Sequence, residues 1–384
     1  MSTRLAYSSY PFPDASGVFD GHPAIGLPVT ALPTPAPLID LPTLERNIAT
    51  MAAFFADRPA AIRPHSKTHR TPVVARMQVA AGAKGVTAPK TSVAEAMVDG
   101  GIDDVFVANQ VVSPAMIGRL VALAGRARVS VLTDDARNVA ALSEAAAAAG
   151  ATLDVLVEID GGMGRCGTRP GAPTVALAAE IARAPGLRFA GVHVYEGHLV
   201  QVPDRAERTR ATEAMLDLGL ETAGLIRRAG IDVETVTCGG TGTYDISGVY
   251  PGVTEHQAGS YVYMDPGYQR KAPAFGLAFS LLSTVLSTPS PDRVVVDSGL
   301  QVLSTGGGEA AAKGHPELAL KGLSEEHGTF IRTDGGATGL RAGDLVEIHP
   351  GHCCAAANLH DTVYAVRAGA VEAVWAVTAR GRSQ

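Results

Sequence analysis

The sequence predicts a closed parallel (β/α)8 barrel followed by an all-β domain, and three observations carry that prediction. Up to about Asp265, eight short apolar, β-branched runs recur, most of them separated by alanine-rich segments of helical length. Eight strands with helical crossovers is the count of a closed barrel. No Gly-x-Gly-x-x-Gly turn follows the first run, which argues against an open doubly wound sheet. After Asp265 the rhythm changes to strand-like runs parted by Gly, Pro and Asp turns, with no long helix among them.

Taken in order, residues 1–34 hold Tyr7, Tyr10, Pro11, Pro13, Gly17 and Gly21 and read as an irregular arm expected to pack with the β domain. They lack the basic-then-apolar pattern of a targeting peptide. Pro37 to Leu41 is a short extended piece, and Pro42-Thr43 opens a helix whose apolar residues Leu44, Ile48, Met51 and Phe55 fall at helical spacing. The eight barrel runs are Ala61–Pro64, Gly85–Ala88, Asp104–Ala108, Val129–Thr133, Leu153–Ile159, Arg188–Val194, Val233–Cys238 and His256–Tyr263. Ala136–Ala149 and Arg205–Ala229 are examples of the intervening helices. The barrel is therefore expected over 35–265 and the β domain over 266–384. The latter's strands are predicted at Leu277–Leu286, Arg293–Val296, Gly328–Arg332, Leu345–Ile348, Thr362–Arg367 and Val371–Val377, with a flexible tip at Gly306-Gly307-Gly308.

Composition narrows the class of function. The chain has 384 residues, 46% hydrophobic but only 5% aromatic, so alanine and valine carry much of the core. A net charge of -6 without a basic run argues against nucleic acid or an anionic membrane surface. No apolar stretch reaches membrane-spanning length. Of the 4 cysteines, Cys353 and Cys354 are adjacent and the others lie far apart, which is no disulfide framework and fits a reducing cytoplasm.

Barrel sites form at the carboxyl ends of the strands, and chemistry-bearing residues collect there. The first run ends in Arg-Pro-His-Ser-Lys-Thr-His, which on an extended backbone puts His65, Lys67 and His69 on one face. Neighbouring positive charge and burial both depress an amine's pKa, as a Schiff-base lysine requires. The fifth run ends in Glu158 and Asp160 and leads to Arg165 in a loop of small residues; the sixth ends in His193, Tyr195, Glu196 and His198. The seventh ends in Cys-Gly-Gly-Thr-Gly-Thr, and the eighth carries Gly259, Ser260 and Tyr261. Glycines after a seventh barrel strand let backbone N–H groups converge on a phosphate, with Thr241 adding a hydroxyl. A phosphate loop, a reactive lysine and an arginine in one barrel suggest pyridoxal 5′-phosphate. Lys67 would hold it, Arg165 would face the ring nitrogen or a substrate carboxylate, and Tyr195 would pack on the ring or orient the phosphate. Each of these side chains also has an ordinary reading as core or solvated loop.

A second constellation, Pro350-Gly-His352-Cys353-Cys354 followed by Asn358, His360 and Asp361, lies in the β domain. His352 and Cys354 are one residue apart, so on an extended segment both reach one divalent ion. The alternative is that both cysteines are small buried residues.

Together Arg-Pro-His-Ser-Lys-Thr-His, Glu-Ile-Asp-x-Gly-x-Gly-Arg-Cys-Gly, Gly-Gly-Thr-Gly, Gly-Ser-Tyr-x-x-Met-Asp, Glu-Glu-His-Gly and Asn-Leu-His-Asp resemble the metal-activated D-threonine aldolases. Their relatives are the 3-hydroxy-D-aspartate aldolases and D-serine dehydratases, in the fold-type III group of alanine racemase. The resemblance runs from about Thr34 onward and implies a barrel of the alanine racemase type, a β domain and a homodimer. It puts the Schiff base on Lys67, cofactor contacts on His65, Arg165 and Tyr195, and the phosphate around Gly240, Thr241, Gly242, Ser260 and Tyr261. It puts a divalent metal (manganese, zinc or magnesium) on His352 and Cys354. The resemblance departs at two places. The aldolases usually carry aspartate where this chain has Cys354, whereas the dehydratases carry cysteine, and a thiolate favours softer ions such as zinc. Gln201 stands where the aldolases have a histidine thought to be the base, which leaves His198 or Glu196 for that role.

The expected reaction is retro-aldol cleavage of a β-hydroxy-D-amino acid to glycine and an aldehyde. The alternative with the same parts is dehydration to ammonia and a keto acid. Racemization, or a carrier of the cofactor without turnover, fits less well, because neither needs a His-x-Cys pair.

Overall fold

The computed structural model describes residues 17–304, 306 and 308–384. The arm residues Tyr7, Tyr10, Pro11 and Pro13, and Gly307 of the expected tip, lie outside the described residues. The chain forms two compact units, each assembled from separated segments. Among the described residues, one holds 49–67, 74–259 and 382–384; the other holds 17–48, 68–73 and 260–381.

The first strand, β1 (Ala36–Asp40), precedes helix α1 (Leu41–Phe55). The barrel strands follow: β2 (Ala61–Ile62), β3 (Val86–Ala88), β4 (Asp104–Gln110), β5 (Arg128–Thr133), β6 (Leu153–Ile159), β7 (Leu187–Val194), β8 (Thr235–Cys238) and β9 (Glu255–His256). Between them run α2 (Pro72–Ala80), α3 (Thr91–Asp99), α4 (Pro114–Ala124), α5 (Ala136–Ala148), α6 (Ala172–Arg183) and α7 (Arg205–Arg228). All eight strands are parallel, in the order β2-β9-β8-β7-β6-β5-β4-β3. The ends of that row meet through a bridge between His65 and Thr87, so the ring closes two residues before Lys67. Phe106, Leu132, Leu156 and Ala190, one from each of four successive strands, fill the interior. Burying each of the large ones stabilises by ~1.5–3 kcal/mol. Asp135 and Asp204 cap α5 and α7 by accepting the N–H groups of Arg137 and Glu207.

At the amino ends of the strands, charged pairs close the barrel. Arg63 sits between Asp104 (2.6 Å) and Glu255 (3.0 Å), and Lys84 reaches Glu255 at 3.2 Å. Arg128 and Arg188 share Asp154 at 3.0 and 2.6 Å, and Arg188 also holds Glu234.

The other unit is a nine-stranded sheet built from β1 with β10 (Phe279–Ser290), β11 (Arg293–Val296), β12 (Ala311–Ala312), β13 (Leu318–Leu323), β14 (Gly328–Arg332), β15 (Leu345–His349), β16 (Thr362–Arg367) and β17 (Ala370–Ala376). It is antiparallel except where β1 runs parallel to β16. Residues 17–34 lie along it through the bridges Val18–Trp375 and Pro28–Ala370, and Phe19 joins a core with Leu38, Leu282, Val371 and Val374.

Three expectations change. The division expected at residues 35 and 265 gives way to one in which β1 serves the β sheet, because Leu38 and Ile39 pair with β10 and β16. The eighth barrel strand shrinks from His256–Tyr263 to Glu255–His256, and Ser260–Val262 is a single 3₁₀ turn. β12 and β13 were not anticipated.

Candidate functional site

The chain turns after His65 and does not stay extended. The Ser66 hydroxyl and N–H both donate to the Thr87 carbonyl, at 2.8 Å each, which pins the bend at the carboxyl end of β2. Lys67 occupies the turn, so the single face expected for His65, Lys67 and His69 does not form. His65 is half-buried beside it. His69 belongs to the β unit, fully buried, with Nδ1 against Thr71 and its ring edge-on to Tyr263.

Within the barrel unit, Tyr195 is the centre on which other groups converge. Lys67 Nζ and Arg165 Cζ each stand 5.9 Å from the centroid of its ring, within cation–π range. His193, two residues earlier on β7 and so on the same face, lies near-parallel to it at 6.3 Å. Gly197 gives the ring room, because a Cβ there would stand 2.5 Å from Tyr195 Cε1.

Arg165 is carried on the loop after β6. The Asp160 carboxylate folds that loop by accepting the Gly162 and Gly164 N–H groups at 2.9 and 3.0 Å, and these donors hold it below the usual carboxylate range. The Arg165 side chain is 55% exposed and 4.0 Å from the buried Glu158 carboxylate. Glu158 also accepts from the Gln110 amide and faces His193 Nδ1 at 3.6 Å. Burial pushes the Glu158 carboxyl up, but His193, Gln110 and Arg165 outweigh it and hold it below its ordinary value. Sequence reasoning missed Gln110, yet its position at the carboxyl end of β4 was the available signal. His198 is exposed over the Asp160 loop, 3.6 Å from where a Cβ on Gly162 would sit.

Glu196 is a different matter. It is fully buried and accepts from Gly239 N–H (3.0 Å), Thr243 Oγ1 (2.7 Å) and Ser247 Oγ (2.8 Å). A carboxylate so surrounded supports the backbone behind the glycine loop, so its placement does not suit the base expected of it. The loop itself fits a phosphate. A Cβ on Gly240 would come within 2.8 Å of Val200 Cγ1 and 3.7 Å of the Tyr195 hydroxyl, and one on Gly242 within 2.0 Å of the Val200 carbonyl oxygen. Only glycine leaves that cradle open. Thr241 stands between the two, buried.

Ser260 and Tyr261 fall in the β unit, and Tyr261 packs on Phe275, with ring centroids 5.5 Å apart. The Ser260 hydroxyl is 3.7 Å from Cys354 Sγ, and the Thr68 hydroxyl is 3.3 Å from the same sulfur. His352, Cys353 and Cys354 bring one nitrogen and two sulfurs within 4.8 Å of one another. His352 immediately precedes the short helix Cys353–Ala357, so the bend at its start, not an extended strand, brings them together. Asp265 organises this group. Its Oδ2 meets His352 Nδ1 at 3.2 Å and accepts from the Cys353 N–H, while its Oδ1 caps the turn 266–269. The bond to Asp265, then the contact with Cys354, push His352 up to about 10. An imidazole oriented by a carboxylate beside sulfur donors suits a soft divalent ion. Burial pulls Arg70 down, and the nearby Cys354 sulfur works against that pull.

Residues 39–266 match the alanine racemase N-terminal domain family, and residues 278–366 match the putative serine dehydratase domain. The chain is 39% identical to D-threonine aldolase of Arthrobacter sp. over 366 residues, covering 94% of this chain and 96% of the relative. It is 36% identical to 3-hydroxy-D-aspartate aldolase of Paracoccus denitrificans over 386 residues, 96% and 98% of the two chains. The crystal structure of D-threonine aldolase from Filomicrobium marinum superposes with a TM-score of 0.91 at 39% identity, over 94% of this chain and 99% of that one. With a parallel eight-stranded barrel, an antiparallel β domain and similarity along nearly its whole length, the chain belongs to the alanine racemase-type family that includes D-threonine aldolase and 3-hydroxy-D-aspartate aldolase.

Proposed function

We propose that the protein is a lyase of β-hydroxy-D-amino acids that uses pyridoxal 5′-phosphate and a divalent metal ion to break the Cα–Cβ bond, giving glycine and an aldehyde. The observation that carries this reading is the convergence of Lys67 and Arg165 on Tyr195, each 5.9 Å from the ring, at the carboxyl ends of the barrel strands. The relatives named for aldolase activity agree with it.

Bound pyridoxal 5′-phosphate supplies an electron sink for the pair released at Cα. Lys67 holds it through its amine, and Gly240, Thr241 and Gly242 receive its phosphate. The Tyr195 ring forms a flat wall that fixes the plane of the site. Arg165 brings positive charge to the mouth, where a substrate carboxylate enters, and Glu158 restrains its swing. His198, exposed above the loop of Asp160, accepts the proton of the substrate β-hydroxyl. His352 and Cys354 hold the metal, with Asp265 fixing the imidazole. A divalent ion there supplies Lewis acidity toward a substrate oxygen. The thiolate of Cys354 favours zinc over magnesium. We place the enzyme in a reducing compartment, its four cysteines all free, and as a homodimer.

Dehydration is the second reading, favoured by sulfur at Cys354 and by the serine dehydratase match of residues 278–366. One assay separates the two. D-Threonine, D-serine and 3-hydroxy-D-aspartate are each incubated with the enzyme, with and without chelator. Glycine plus an aldehyde is expected; ammonia plus a keto acid would establish the dehydratase instead, and inverted stereochemistry alone a racemase.

A further inference from the structure

The Glu196 carboxylate lies at the end of a closed polar chain that the reaction does not use. His256 is fully buried on β9, and its Nδ1 accepts the Ala258 N–H at 3.2 Å. That leaves Nε2 as the protonated nitrogen, which donates to Ser247 Oγ at 3.1 Å. Ser247 then spends its own proton on Glu196, at 2.8 Å. Burial drives His256 down to about 3, so the ring is neutral and the chain has one direction. Histidine donates to serine and serine to carboxylate, the reverse of a nucleophile triad. Thr243 links this chain to the cradle. Its hydroxyl donates to Glu196 at 2.7 Å and accepts the Gly240 N–H at 3.3 Å. Gly239 donates its own N–H to the carboxylate, and a Cβ there would lie 2.1 Å from His256 Nε2, at φ +100. Three glycines and two threonines, free in principle to take many backbone conformations, are thus held from below by one buried anion.

We propose that Glu196 is the positioning residue of the cofactor-phosphate loop: by tying down Gly239, Thr243 and Ser247 it fixes the backbone of 239–243, and so governs affinity for the phosphorylated cofactor but not for its unphosphorylated form. The proposal rests on the reading of the loop given above. A loop held in advance loses less conformational entropy when an anion binds than one that must be ordered at that moment.

The test compares pyridoxal 5′-phosphate with pyridoxal, which lacks the phosphate but keeps the aldehyde that Lys67 engages. The full-length chain is freed of cofactor by dialysis against a competing amine, and each ligand is titrated by its absorbance. Wild type, Glu196→Gln, Thr243→Val and Thr243→Ser are compared, with thermal melting of each. Glu196→Gln and Thr243→Val are expected to weaken the phosphorylated ligand ~10- to 100-fold. Pyridoxal should change less than about twofold, and Thr243→Ser, which keeps the hydroxyl, should behave as wild type. Equal weakening of both ligands, or no weakening of either, would overturn the proposal. If Glu196→Gln does not fold, Thr243→Val makes the same comparison. Wild-type protein that binds both ligands equally well would remove the phosphate from this loop. Wild-type protein that binds neither would overturn the cofactor reading itself.

Discussion

Replacing Gly239 by alanine loads two separate costs onto one residue, and a matched control separates them. Gly239 has φ +100, where an L side chain costs ~1–2 kcal/mol. Gly82 has nearly the same φ, +107, with nothing within 4 Å of the added Cβ. Gly82→Ala therefore meets the backbone strain alone. Gly239→Ala also drives a methyl to 2.1, 2.3 and 2.5 Å from three atoms of the His256 ring. That ring is held by Ser247 and the Ala258 N–H and packs on Phe55 at 5.5 Å, so it has nowhere to swing. Overpacking of this kind costs ~1–3 kcal/mol, and losing the His256–Ser247 bond adds ~1 kcal/mol. The difference between the two variants should be about 2–4 kcal/mol, a large share of the ~5–15 kcal/mol that holds a domain folded. Urea unfolding should be followed by far-UV circular dichroism for the barrel helices and by fluorescence of the single tryptophan, Trp375, in the β unit. The loss should appear in the first signal. Equal midpoints for the two variants would refute the claim that the His256 ring is rigidly seated.

Lys67→Ala should abolish the visible absorbance of bound cofactor that borohydride removes from wild type, and with it all lyase turnover; a retained band would move the cofactor to another amine. Metal analysis after dialysis should find zinc retained in preference to magnesium, and the ion lost in His352→Ala and in Cys354→Ala. Unchanged metal content in both variants would exclude these ligands. Asp154 is held below its ordinary value despite burial, by Arg188 and Arg128. A depressed folded-state value means the unfolded chain takes up the proton more readily, so this carboxylate adds stability above the usual carboxylate range and loses it as pH falls through the folded value. Melting temperatures of Asp154→Asn and wild type should differ at pH 7 and converge in acid, and parallel curves would contradict the assignment.

The barrel was legible because its strands are β-branched runs bounded by turns. The run expected at Arg293–Val296 in the β domain matches β11 to the residue for the same reason. Elsewhere burial misled. Ala258, Tyr261, Val262 and Tyr263 are all buried, as a strand would be, but they line a 3₁₀ turn and loop without a ladder. β13 escaped notice because Lys321 and Gly322 interrupt it on an exposed face, and β12 is only two alanines long. Stopping the β4 run at Ala108 left Gln110 two residues beyond the expected end. Periodicity also failed at His69, since alternation ends at the turn that Ser66 makes. The His-x-Cys spacing pointed to side chains that do lie together, but on a helix start in place of the expected strand. Glu196 marks the deepest limit: a carboxylate beside a strand end reads as a base until its three donors, supplied from 43 to 51 residues further along the chain, are seen.

The position of β1 has a consequence for synthesis. Residues 36–40 leave the ribosome early, yet they hydrogen-bond to 279–282 and 364–366. All eight barrel strands have emerged by residue 256, so that unit can assemble on the nascent chain while β1, an interior strand of the sheet, waits for both of its neighbours. Dividing the gene at the 259/260 junction would leave β1 on one fragment and its neighbours on the other, so the way to produce the sheet alone is to fuse residues 17–48 to the downstream half.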